Sequence, residues 1–91
     1  MMSIVAVKIK IMPDSPESDL AKIEKNVKIL LEKQGVKNPK FEIQPIAFGL
    51  KALIFMFGWP EEKELEDLEQ ELQTIEGVSS VQVIDIRRAI G

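Results

Sequence analysis

The chain has 91 residues, 45% of them hydrophobic and 30% charged, with a formal charge of −3 and neither cysteine nor histidine. That length builds one core and not two, and the missing residue types exclude disulfides, thiolate metal sites, cysteine nucleophiles, imidazole bases and histidine-containing triads. A net negative charge is also unsuited to nucleic-acid binding by the surface as a whole.

Taken in order, Met1-Met2-Ser3-Ile4 has no basic stretch leading into a signal-type apolar core. No apolar run approaches the ~20 residues that span a bilayer. The expectation is a soluble, cytoplasmic protein without membrane contact, monomeric by default, with residues 1–91 as a single domain. From Ile4 to Met12, Val5, Val7, Ile9 and Ile11 alternate with Ala6, Lys8 and Lys10, which predicts a first strand. Met12-Pro13-Asp14-Ser15-Pro16 breaks it, and Ser15-Pro16 reads as the N-cap and first turn of a helix. Leu20, Ile23, Val27, Leu30 and Leu31 then recur at helical spacing up to Gln34, where Gly35 is placed to stop the helix.

After Asn38-Pro39, Phe41 and Ile43 alternate with Glu42 and Gln44, a strand with one wet face. Leu53-Ile54-Phe55-Met56-Phe57 is apolar on both faces, as a central strand is. Between them lies Pro45-Ile46-Ala47-Phe48-Gly49-Leu50-Lys51. Pro45 removes a ladder donor and Gly49 supplies backbone freedom, so the reading is an antiparallel corner that fixes Phe48 in place. Phe48 is then either a core plug or a contact residue on a rigid scaffold.

Gly58-Trp59-Pro60 is expected to close the strand and open a second helix, with Leu65, Leu68, Leu72 and Ile75 as its buried stripe. Glu61, Glu62, Glu64, Glu66, Asp67, Glu69 and Glu71 face the other way. They lack calcium-loop spacing and read as a solvated acidic face, with no metal or catalytic role. Gly77 ends that helix, Val81 to Ile86 is the last strand, and Arg87-Arg88-Ala89-Ile90-Gly91 is left as a tail.

Strand, helix, strand, strand, helix, strand is the split βαβ pattern. It predicts an α+β, ferredoxin-like sandwich, a four-stranded antiparallel sheet with both helices on one face. Since the helices cover only one face and the third strand is apolar on both, the other face is expected to bind something.

Three stretches together resemble the archaeal translation elongation factor 1-beta family. They are Met12-Pro13-Asp14-Ser15-Pro16-Glu17-Ser18-Asp19-Leu20, the corner Pro45-Ile46-Ala47-Phe48-Gly49-Leu50 with Lys51 and Leu53, and Glu76-Gly77-Val78-Ser79-Ser80-Val81-Gln82-Val83 running into Asp85-Ile86-Arg87-Arg88. The resemblance implies a guanine-nucleotide exchange domain, alone and with the ferredoxin-like fold. Its implied partner is the GTPase elongation factor 1-alpha, in its GDP-bound and nucleotide-free forms. No cofactor and no covalent chemistry are implied.

By the same resemblance Phe48 contacts the GTPase, Gly49 shapes the corner, and Lys51 is either a rim contact or an ordinary exposed strand residue. Eukaryotic relatives carry a penultimate lysine that reaches the Mg²⁺ site, and this chain has none there. Either Arg87 or Arg88 supplies that charge, or displacement proceeds without it, or the arginines only keep a sheet end soluble. Two other readings stay open. One is an RNA-recognition-type module that displays Phe55 and Phe57 for stacking, and the other is a metabolite-binding domain that dimerises edge to edge.

Overall fold

The computed structural model describes residues 3–88. Its elements are β1 (Ile4–Pro13), α1 (Leu20–Lys33), β2 (Lys40–Pro45), β3 (Lys51–Pro60), α2 (Glu66–Gln73) and β4 (Val78–Arg88). All neighbouring strands are antiparallel and lie in the order β2-β3-β1-β4. The expected ferredoxin-like sandwich is therefore the observed one.

Directly opposed residues share a face of an antiparallel sheet, so the register sorts every strand residue. Val7, Ile9 and Ile11 of β1 oppose Phe57, Phe55 and Leu53 of β3. With Trp59 these are all buried, and they join Ile23, Val27 and Leu31 of α1 and Leu68 and Leu72 of α2 in one core. Four rings form a row within it. Phe41 stacks on Phe55 at 5.4 Å, Phe55 on Phe57 at 5.8 Å, and Phe57 meets Trp59 edge-on at 5.8 Å. Phe55 and Phe57 are 1% and 4% exposed. They lie beneath the helices, so the stacking platform of an RNA-recognition module is not present.

The element boundaries differ from the sequence reading at four places, each for a local reason. Ser15 does not cap α1. Its Oγ accepts from the backbone N–H of Glu17 at 3.2 Å and its carbonyl from Ser18 at 3.2 Å, closing a separate turn. Asp19 caps the helix instead, its side chain accepting from the Lys22 N–H at 3.2 Å.

β3 runs through Pro60 and does not end at Gly58. The N–H of Glu61 donates to the Ser3 carbonyl at 2.8 Å, on the β1 side. Alternate residues point their N–H groups to opposite sides, so Pro60 lacks its donor on the other side, where the pairing of β2 has already ended. Trp59, now a strand residue, is 2% exposed and donates its indole N–H to the Lys63 carbonyl at 2.9 Å. That bond holds residues 60–63 as a turn, and α2 starts only at Glu66.

α2 also ends early, at Gln73, and Ile75 and Gly77 lie in the connection to β4. β4 is longer than expected, reaching from Val78 to Arg88. Arg87 opposes Ala6 and Arg88 opposes Val5, so neither arginine belongs to a tail. Ala89, Ile90 and Gly91 lie outside the described residues. The C-terminus of α1 behaves as read. Gly35 has φ +84°, its N–H donates to Glu32 and that of Val36 to Leu31, the paired bonds of a Schellman end.

If Asp19 is the cap, Asp19→Ala should lower stability by about 1 kcal/mol, a fall in Tm of about 4–8 °C for a domain of this size. Ser15→Ala should cost clearly less. Thermal unfolding followed by circular dichroism reads both.

The candidate partner-binding corner

β2 and β3 pair down to Pro45 opposite Lys51. Beyond them the Ile46 N–H donates to the Leu50 carbonyl, and the Leu50 N–H to the Ala47 carbonyl, both at 2.9 Å. Phe48 and Gly49, the two residues between Ala47 and Leu50, have φ +54° and +79°. Two successive positive φ values are those of a type I′ turn, whose twist matches the strands it joins. Glycine is at ease there. Phenylalanine is not, because its Cβ crowds the backbone, at a cost of about 1–2 kcal/mol.

Phe48 is also 97% exposed. The core-plug reading is therefore overturned, since the ring touches almost nothing of its own chain. A strained backbone position that holds a bare aromatic in water does nothing for the fold. Ile43 of β2 and Ile46, which leads into the turn, are also exposed, at 51% and 41%. Composition had a signal for this. Pro45-Ile46-Ala47-Phe48 is an apolar run at a turn, where polar residues are the norm.

The loop before α1 supports the corner. A Cβ placed on Gly49 would lie 3.8 Å from that of Pro16. Lys51 and Gly49 share with Pro13, Ser15, Pro16 and Ile43 a shallow cleft of about 310 Å³. Lys51 is exposed at its edge, next to the corner.

The arginines are elsewhere. Arg87 opposes Ala6, which opposes Gly58, whereas the corner joins β3 at Lys51. Those positions are separated by seven residues of β3, about 23 Å at strand rise. Phe48, Gly49 and Lys51 thus form one cluster, and Arg87 and Arg88 sit at the opposite end of the sheet. Arg87 Nε lies 2.9 Å from Asp85 Oδ2 and an Arg88 terminal nitrogen 2.6 Å from Glu61 Oε1. With the arginine side chains 80% and 75% exposed, such pairs are weak and easily exchanged for an external anion. Among the described residues no group of three or more acidic side chains is placed to hold a metal ion, and no helix is long and apolar enough to cross a membrane.

Residues 6–89 match the family model of the EF-1 guanine nucleotide exchange domain. The chain belongs to that family. Relatives named elongation factor 1-beta include those of Methanosarcina acetivorans, 40% identical over 96% of this chain and 99% of the relative, and Thermofilum pendens, 39% identical over 99% and 100%. That of Methanocaldococcus jannaschii is 38% identical over 97% and 100%. Family membership places the chain among translation elongation factors with guanine-nucleotide exchange activity. A solved chain described as "BlrP1 BLUF" superposes with a TM-score of 0.55 at 14% identity, covering 96% of this chain and 55% of that one. At that identity the likeness is one of fold alone.

Exposure and strain at the corner of this exchange domain make a direct prediction. Phe48→Ala should change stability by no more than about 0.5 kcal/mol, as at other exposed sites, and Phe48→Gly should be neutral or stabilising. Phe55→Ala should cost about 3–5 kcal/mol. Urea unfolding compares the three, and a large loss in Phe48→Ala would contradict the bare position of the ring.

Proposed function

We propose that the chain releases GDP from elongation factor 1-alpha by binding and stabilising the nucleotide-free GTPase. The observation that supports this most directly is Phe48, 97% exposed at a left-handed backbone position. Strained residues persist where the surrounding structure forces them and cluster at working sites. A bare, rigidly presented aromatic is the residue type that dominates binding energy at protein interfaces. In this reading Phe48 is the anchor, Gly49 sets its angle, and Lys51 is a rim contact. The chain acts as a cytoplasmic monomer and makes no direct use of nucleic acid.

Exchange needs no reactive side chain, and no bond is made or broken. GDP is held on such GTPases by a backbone phosphate cradle, a lysine and Mg²⁺. A protein that binds the empty GTPase more tightly than the loaded one weakens nucleotide binding by the same factor. The distance between the corner and the arginines suits that task. One end grips the GTPase away from its nucleotide while the guanidinium of Arg87 or Arg88, released from Asp85 or Glu61, meets phosphate or a Mg²⁺-binding carboxylate. The two-ended grip explains why these residues need not touch one another.

Release of a fluorescent GDP analogue from elongation factor 1-alpha tests this. Wild type should accelerate release, Phe48→Ala should lower that acceleration at least about tenfold, and Arg87→Ala/Arg88→Ala should lower it with binding to the empty GTPase partly retained. An unchanged release rate with wild type would sink the exchange reading. Full activity in Phe48→Ala would remove the corner from it.

A further inference from the structure

The face of the sheet opposite the helices carries a charge that the molecule as a whole does not. By register, Lys8, Lys10, Lys40 and Arg87 lie on it, and among the described residues only Glu42 and Asp85 oppose them. The chain is −3 overall because residues 61–76 hold eight acidic side chains against Lys63 alone. Those acidic residues belong to α2 and its flanking segments, apart from the open face. Between the lysines the floor is apolar. Met56 is 42% exposed, whereas Ile54 is only 5% exposed although no helix covers it. Lys8, Lys40 and Glu42 line, with Ile54 and Met56, a depression of about 200 Å³. Long lysine stems shelter an apolar floor in this way while their ammonium groups stay in water.

We infer that this open face docks an acidic protein surface that presents an apolar side chain to the Ile54–Met56 depression, and that the surface belongs to the same GTPase. The inference rests on the proposed function and extends its contact area. Three features select that occupant. The cations surround an apolar floor, so a partner must offer carboxylates around an apolar group. The face is also continuous with both ends of the proposed grip, since Arg87 lies on it and the β2–β3 corner borders it. Single-stranded nucleic acid is the weaker fit, because Phe41, Phe55, Phe57 and Trp59 form the row on the helix side, and among the described strand residues of the open face none carries a ring on which a base stacks.

The test is the affinity of the full chain for nucleotide-free GTPase, measured by titration calorimetry at two salt concentrations. Lys8→Glu/Lys10→Glu should weaken binding at least about tenfold and flatten its salt dependence, as expected for charge reversal at a complementary interface. The milder Lys8→Gln/Lys10→Gln should weaken it severalfold, and it keeps the test alive if the double reversal disturbs the strand. Lys22→Glu/Lys25→Glu, on the outer side of α1, makes the same change in net charge and should stay within about twofold. Wild-type binding that neither open-face variant weakens overturns the inference and leaves the proposed function standing. No binding by wild type sinks both. Salt-steep binding to a 20-nucleotide single-stranded RNA that Lys8→Glu/Lys10→Glu abolishes, with GTPase affinity intact, would give the face to nucleic acid. Salt-sensitive self-association seen by sedimentation and abolished by the same variant, again with GTPase affinity intact, would give it to a second copy. Either result overturns the inference.

Discussion

The structure depends on how β3 divides its side chains. Leu53, Phe55, Phe57 and Trp59 all turn toward the helices and are almost fully buried, and Phe41 of β2 completes the ring row. Burying each large side chain stabilises the fold by about 1.5–3 kcal/mol, and ring pairs add to that. Because β3 sits between β2 and β1, this row ties the outer strand and its corner to the same core as α1 and α2. The corner is consequently rigid at its base. A rigid base is what allows Phe48 to be held at φ +54° with its ring in water, since in a loose loop the backbone would relax.

Most of the fold was legible from periodicity. Alternation in β1 and β2 and the helical spacing of Ile23, Val27 and Leu31 were strong signals, and the order of elements implies the sandwich. The boundaries were harder because they turn on competition between local hydrogen bonds. Ser15-Pro16 looks like a helix start, and only the turn that consumes the Ser15 oxygen and carbonyl passes the cap to Asp19. Pro60 looks like a helix opener, and only the ending of β2 beside it makes a missing donor harmless within a strand. Neither fact is local to the residues concerned.

The corner between β2 and β3 was legible as a turn, but the direction of its side chains was not. Pro45 and Gly49 mark a corner, yet period-2 patterns say nothing about whether Phe48 turns inward or outward. The answer lies in the two positive φ values, which carry the ring beyond the last strand pair. Arg87 and Arg88 read as a tail because the apolar alternation fades after Ile86. It fades because this end of β4 is an exposed edge, with Ile86 52% exposed despite lying opposite buried Val7. Pairing with β1, not burial, keeps the arginines in the strand.

Charge is distributed by element, and this affects what net charge means for a small protein. Exposed charges farther apart than about 8–10 Å act nearly independently at physiological salt. In a molecule 45 Å long, an overall value of −3 therefore describes no single surface. The acidic stretch from Glu61 to Glu76 and the lysines of the open face present different fields to anything that approaches. An approaching acidic surface is repelled at α2 and attracted at the sheet, so the field selects a face before any contact forms. In the inferred complex it would orient the molecule, turning the open face rather than α2 toward an acidic partner.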